Sequence, residues 1–132
     1  MKNNTLFILT LLFGLMMVNA GLNKFLHYMP MPKPDEDTMA IFGAFSTLLW
    51  IMPLVAIIEI IGGILISIPR FRALGAIVIF PVMVGIVIHH LVLDQEGLAI
   101  PLVMVLINFW AIADNIDKYL PMIKEQLEST AD

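Results

Sequence analysis

The chain contains no cysteine and few charged side chains. Its 132 residues include 11 acidic and 7 basic residues, 14% of the total, together with three histidines and two tryptophans. The lack of cysteine excludes disulfides, thiol chemistry, cysteine-ligated zinc and iron–sulfur clusters. The net charge of −4 offers no basic surface, so a nucleic-acid partner is not predicted.

Most of the residues that are present are apolar. Hydrophobic side chains make up 60% of the chain and its mean hydropathy is +0.94, whereas soluble domains contain about 45–50% apolar residues. A soluble fold of this length could not bury so much apolar surface, because small domains leave much of their surface exposed. We therefore expect a single membrane domain over residues 1–132, with the lipid bilayer as its main partner.

Four long apolar runs predict an all-α fold, a bundle of four transmembrane helices. A helix needs about 20 apolar residues to cross a ~30 Å hydrocarbon core. The predicted spans are 5–23, 51–68, 73–93 and 98–116, followed by a short polar tail over 117–132. A proline-rich outer loop is expected between the first two spans. Residues 39–50 are expected to form a shallow or tilted lead-in to the second span, which Pro53 breaks or kinks.

The first apolar run has two interpretations. Lys2 followed by the run from Leu6 to Ala20, with its Val-Asn-Ala ending, is typical of a cleavable signal peptide. The run is also suited to a first span, and it continues through Gly21–Phe25 without the break expected of a mature amino terminus. We expect the helix to be retained, although the charge pattern alone also fits cleavage.

The basic residues predict the orientation. With four spans, one side of the membrane holds Lys2, Arg70, Arg72, Lys118 and Lys124, and the other side holds only Lys24 and Lys33. Basic residues accumulate on the cytoplasmic side. We expect a bacterial-type plasma (inner) membrane protein with both termini in the cytoplasm.

Two polar residues are predicted to lie deep in the membrane. Glu59 precedes Ile68 by nine residues, and a charge at such a depth costs about 2.5–3.5 kcal/mol unless it has a partner or faces a cavity. It is either a ligand or proton site, or a protonated acid that joins two helices, and Gly62 and Gly63 let another backbone approach it. Asn108 is predicted at a similar depth, where a helix–helix hydrogen bond, including one to Glu59, is the simpler interpretation.

Further candidates lie towards the outer side. His90 and Asp94 are four residues apart, so the carboxylate could orient the imidazole, or the histidines could simply cap the helix end. Lys24, beside Asn23, either extends to the head groups or lines a cavity. The cavity hypothesis assembles Lys24, Asn23, His90, Glu59 and Asn108 around a lipid-soluble molecule with a polar head, such as a quinone. Neither haem nor a metal is predicted, because three histidines are weak support and no cluster has metal-site spacing.

Several short motifs together resemble the DoxX-like family of small four-helix membrane proteins, from about Phe13 to Lys118. The motifs are Gly21, Asn23, Lys24 and Phe25, then Glu59 with Gly62 and Gly63, and His90 before the Asp94–Gly97 turn. The acidic Asp94-Gln95-Glu96 departs from the more apolar or proline-containing turn expected there. Cysteines that some relatives carry are absent, so thiol-based activity is not expected.

The resemblance implies a function connected with membrane redox chemistry. The founding member of the family is the small subunit of a thiosulfate:quinone oxidoreductase, and another relative joins a membrane oxidoreductase complex. We expect an accessory or quinone-binding subunit with a membrane or soluble redox partner. The alternative is a non-enzymatic scaffold or assembly protein. A transporter is disfavoured because the spans contain no continuous polar pathway. Whether the chain is itself an enzyme, and whether it forms a homo-oligomer, stays open.

Overall fold

Helices are the regular elements of the computed structural model, which describes residues 2–30, 33 and 35–131. Within that part of the chain there are six α-helices and two 3₁₀ turns. They are α1 (Lys2–Leu26), α2 (Glu36–Thr47), α3 (Ile51–Ser67), α4 (Arg72–Leu93), α5 (Ala99–Asp114) and α6 (Ile116–Ala131), with the 3₁₀ turns at Pro69–Phe71 and Gln95–Gly97. The all-α prediction is confirmed. Met31, Pro32 and Pro34 of the predicted proline-rich loop lie outside the described residues.

Four of the helices surround a common core. Helix α1 packs on α3, α3 on α4, α4 on α5, and α5 returns to α1. The core between them contains Phe13, Met17, Ile66, Ile79 and Met83, all buried. Many leucine and isoleucine side chains on the outward faces are exposed. An apolar exterior of this kind suits a bilayer, in which lipid tails contact the outward faces.

Among the described residues, two helices are long and apolar enough to cross a membrane unaided, Asn4–Leu26 and Pro69–Leu93. Two more spans exist only if each bent pair counts as one: α2 with α3, bent by 90°, and α5 with the start of α6, bent by 60°. The fold is thus that of a membrane protein with two to four candidate spans. The predicted count of four is not established by helix length, because α3 and α5 are only 17 and 16 residues long.

The break before α3 does not lie at Pro53. It lies at Leu48–Trp50, where Leu49 has a φ of 47°. Pro53 is the third residue of α3, and a proline in the first turn of a helix removes no intrahelical hydrogen bond. The expected lead-in is therefore a separate helix, and the prediction of a proline break was wrong.

Helix α2 owes its start to a side-chain cap. The Asp35 carboxylate accepts a hydrogen bond of 2.8 Å from the backbone N–H of Thr38, and hydrogen bonding with Thr38 lowers the pKa of Asp35. The cap therefore stabilises the helix above the pKa of the unfolded chain and is lost as the pH falls through the lower pKa of the folded state. No residue of α2 is buried.

The predicted polar tail forms helix α6. Its composition is mixed, and no helix was predicted there. Tyr119 ties the helix back to the bundle, since its hydroxyl donates a 2.6 Å hydrogen bond to the Ala73 carbonyl at the start of α4. This hydrogen bond connects the first turn of α6 with the beginning of α4.

Glycines set the spacing between neighbouring helices and reveal their antiparallel register. A Cβ atom on Gly75 of α4 would overlap the backbone of α3 at Ile66, and one on Gly62 of α3 would press on Ile79 of α4. Small residues let backbones approach closely where lipid offers no hydrophobic drive for association. By contrast, a Cβ on Gly85 of α4 would meet nothing within 4 Å.

We predict that Gly75→Ala lowers the free energy of unfolding although alanine favours helices. The added methyl group must displace backbone atoms of α3, and overpacking costs about 1–3 kcal/mol. The matched control is Gly85→Ala in the same helix, which should be neutral or stabilising by up to about 1 kcal/mol. Unfolding in mixed micelles measures both, and equal stabilities for the two variants would contradict the packing of α3 on α4.

Candidate functional site

The most polar contact inside the bundle is an ion pair between α1 and α3. The Lys24 ammonium nitrogen lies 3.0 Å from Oε1 and 2.7 Å from Oε2 of Glu59. The Glu59 side chain is 1% exposed, whereas that of Lys24 is 26% exposed. Both carboxylate oxygens are therefore occupied, while the lysine keeps one N–H donor free.

The pair forms because both side chains lean towards each other. Helices α1 and α3 are antiparallel, with Gly14 beside Gly63 and Gly21 beside Ala56. Side chains on a helix tilt towards its amino terminus. The Lys24 side chain therefore tilts along α1 towards Gly21, and the Glu59 side chain tilts along α3 towards Ala56. Because Gly21 lies beside Ala56, the two charged groups converge.

Close helix approach next to the pair helps to hold it. A Cβ atom on Gly21 would lie 2.6 Å from the Ala56 carbonyl oxygen and 2.6 Å from Cγ1 of Ile60. Only glycine allows α1 to come this near to α3 one turn from Lys24. Of the two interpretations of Lys24, extension to the head groups or a place in a cavity, the structure shows neither alone: the ammonium group contacts Glu59 and keeps 26% of the side chain exposed.

A second polar group lies at the end of α4. The His90 Nδ1–H donates to the Ile86 carbonyl at 2.8 Å, which leaves Nε2 facing Asp94 Oδ2 at 3.9 Å. Asp94 itself accepts a 3.2 Å hydrogen bond from the Gly97 N–H and so closes the turn. The predicted His90–Asp94 juxtaposition is present at a distance longer than a hydrogen bond. The His89 ring, 5.5 Å from that of His90, turns towards Phe42 of α2.

Asn108 lies away from the ion pair. Its side-chain amide donates a 3.0 Å hydrogen bond to the Ala76 carbonyl of α4, and its Oδ1 is buried without a partner. The neighbouring Gly75 packs on Ile66, which is seven residues along α3 from Glu59, or about 10 Å of helix rise. The expected Glu59–Asn108 hydrogen bond is therefore absent. The predicted span ends gave Glu59 and Asn108 a similar depth in the membrane. The helices are shifted along their axes relative to one another, and this shift separates the two residues.

Asn23 stabilises the chain beyond α1. Its Oδ1 accepts a 2.9 Å hydrogen bond from the Met29 N–H, and one turn earlier Asn19 accepts hydrogen bonds from the Tyr28 hydroxyl. These contacts fold the segment after Leu26 back on the helix, where His27 has a φ of 50°. Asn23 thus supports the end of the helix that carries Lys24.

The predicted cavity residues consequently occupy three places. Lys24 meets Glu59, His90 meets Asp94, and Asn108 meets Ala76. In the described part of the chain, no hydrogen bond or ion pair joins one of these groups to another. No group of three histidine, aspartate or glutamate side chains is placed to hold a metal ion there either.

An apolar cleft opens elsewhere, between α1 and α5. Its volume is about 360 Å³, and its lining includes Leu9, Phe13, Met16, Val103 and Ile107. None of the predicted site residues lines it. A cleft without polar groups can accept a hydrocarbon chain, but it offers nothing to orient a polar ligand.

One buried charge was not predicted from the sequence. Arg72, the first residue of α4, is 8% exposed, and its Nε and Nη2 have no hydrogen-bond partner. It was counted only as a basic residue of a turn. Arg72 directly precedes the apolar run that starts at residue 73, and this position could have indicated its burial. A charge there faces either the head groups or the neighbouring helices.

Comparison with known proteins assigns the chain to a family. Residues 8–112 match the model described as the DoxX-like family. No curated protein and no solved structure shows a match. The family match covers most of the chain and includes Lys24, Glu59, His90 and Asn108. The chain therefore belongs to the DoxX-like family, as its motifs predicted.

We predict that Lys24→Met lowers the free energy of unfolding by about 3–5 kcal/mol, because it leaves a buried carboxylate without its partner. The double variant Lys24→Met/Glu59→Leu removes both charges and should recover most of the loss. Lys33→Met, at an exposed lysine between α1 and α2, is the matched control and should change stability by no more than about 0.5 kcal/mol. Additive effects in the double variant would show that the two residues do not interact.

Proposed function

We propose that this DoxX-like protein binds a quinone through Lys24 and acts as an accessory subunit of a membrane oxidoreductase. The observation that carries the proposal is the ammonium group of Lys24, held by Glu59 and still 26% exposed. Two of its three N–H donors point to the carboxylate. The third can be given to a carbonyl oxygen of a ligand that approaches from the lipid.

The surroundings of Lys24 favour a lipid-soluble ligand. Leu22, Phe25 and Leu26 lie beside it on α1 and are exposed. A ligand that approaches Lys24 meets these apolar side chains, while Asn23 and the exposed His27 are the polar neighbours at the same end of the helix. A quinone combines a carbonyl acceptor with an apolar ring and tail, so it matches both features.

The role of Glu59 in this proposal is positional. A free lysine near a helix end extends to the head groups. Paired with a carboxylate that is fully buried, Lys24 instead stays within the apolar layer and presents its third donor in one direction. The chain supplies no thiol, so we assign electron transfer to a partner protein that shares the bound quinone.

The proposed orientation of the chain in the membrane follows from the distribution of its basic residues. We place four spans in a bacterial-type inner membrane, with both termini and the Pro69–Phe71 turn in the cytoplasm. That places Arg70, Arg72 and Lys118 on the cytoplasmic side, as the distribution of basic residues favours. The Lys24–Glu59 pair then lies in the outer half of the membrane.

A scaffold function is the second candidate, and the hydrogen bonding of the Glu59 carboxylate favours it. Both oxygens of this carboxylate are already hydrogen-bonded, and the pair joins α1 to α3, the helices with the most extensive contact. In this alternative, Lys24 and Glu59 hold the fold together and bind no ligand. Partners would recognise the lipid-facing helix surfaces.

Mass spectrometry of the protein in native-membrane nanodiscs distinguishes the two functions. We expect wild type to retain a quinone and Glu59→Gln to lose it, because the neutral amide holds Lys24 less strongly. Glu96→Gln, at an exposed carboxylate of the turn before α5, makes the same chemical change and should retain the quinone. Equal thermal stability of the three proteins would exclude unfolding as the cause of the loss. An identical set of lipids and partner proteins in all three would overturn the quinone proposal and support the scaffold.

A further inference from the structure

Arg72 is a buried cation that the proposed function does not use. It lies at the opposite end of the bundle from Lys24, with only 8% of its surface exposed. Its Nε and Nη2 are buried and have no hydrogen-bond partner in the protein. A guanidinium group carries five N–H donors and stays charged, so buried donors of this kind call for an acceptor from outside the chain.

The guanidinium lies near Phe7, and two further elements act on it or on the helix turn that carries it. Its Cζ lies 5.9 Å from the centroid of the Phe7 ring on α1. On α6, Tyr119 holds the first turn of α4 by its hydrogen bond to Ala73. The charge of Asp114, at the end of α5, acts on Arg72, yet no ion pair within 4.0 Å joins Arg72 to a carboxylate among the described residues. Asp114 thus attracts the guanidinium without taking its hydrogen bonds.

The nearby surface combines a second cation with apolar side chains. Phe7, Phe71 and Leu74 are exposed, and Arg70 lies over the Phe71 ring at 5.4 Å. The candidate span Pro69–Leu93 begins here, so Arg72 occupies its first turn, at the level expected for head groups. The ligand that suits this place has an anionic group for the arginine and hydrocarbon for the aromatic rings.

We propose that Arg72 binds the phosphate of one membrane phospholipid, whose acyl chains lie against Phe7 and Phe71. Guanidinium and phosphate form parallel charge-assisted hydrogen bonds, for which Nε and Nη2 are two adjacent donors without a partner. Because the protein encloses both atoms, the arginine side chain turns outward when the lipid binds. A free phosphate ion offers the same oxygens but no contact for the apolar side chains. This inference does not depend on quinone binding, because the two sites lie at opposite ends of the helices and use different residues.

Native mass spectrometry of the full chain, titrated with phosphatidylglycerol, tests the proposal. We expect a one-to-one lipid complex whose dissociation constant rises about tenfold or more in Arg72→Gln, the change produced by losing a charge-assisted hydrogen bond. Arg70→Gln removes the same charge from an exposed neighbour and should change affinity less than about threefold, since exposed charges contribute little. Equal losses in both variants would show non-specific attraction and overturn the proposal.

A second variant keeps the test decisive if Arg72→Gln does not fold. Asp114→Asn leaves the guanidinium in place and removes the negative charge that competes with phosphate, so lipid affinity should rise. Unchanged or weaker binding in Asp114→Asn would contradict the proposal. Inorganic phosphate, added to the wild-type complex, should leave the lipid bound. Displacement at similar concentrations would identify an anion site and overturn the assignment to a lipid.

Discussion

The ion pair between Lys24 and Glu59 is the constraint on which the arrangement of α1 and α3 depends. A carboxylate in an apolar bundle must be paired or protonated, since its desolvation is otherwise too costly. Pairing requires the antiparallel register in which the two side chains tilt towards each other. It also requires the close approach that Gly21 permits against Ala56. The ion pair, the antiparallel register of α1 and α3 and the glycine at position 21 therefore depend on one another.

The polar groups of the bundle are separated along its length, and this separation limits what the protein can do. Lys24 and Glu59 lie towards one end, Asn108 lies about 10 Å of helix rise further along, and Arg72 lies at the other end. Apolar residues such as Ile66 and Ile79 fill the space between them. Among the described residues, no hydrogen bond or ion pair links the polar groups at one of these three positions to those at another.

Helix positions and the family could be predicted from the sequence, because apolar runs and short motifs are local patterns. The helix α4 was predicted within one residue of its start at Arg72. Contacts between side chains of different helices were harder to predict, because they depend on how far each helix is shifted along its neighbour. The packing of Gly75 on Ile66 reveals such a shift, which separates Asn108 from Glu59. The break before α3 was assigned to Pro53, although a first-turn proline is compatible with a helix. The position of Arg72 just before an apolar run indicated an unusual charge, but the sequence did not reveal its contact with Phe7, sixty-five residues earlier.

The charge state of Glu59 tests the central claim most directly. Infrared difference spectra of the protein in lipid bilayers, with ¹³C-labelled glutamate and Glu59→Gln as the reference, report whether this side chain is ionised. The ion pair predicts a carboxylate band that disappears in the variant. A protonated carboxyl band at neutral pH would contradict the pair. Glu59 would then be a neutral hydrogen-bonding group, and Lys24 would be free to extend to the head groups.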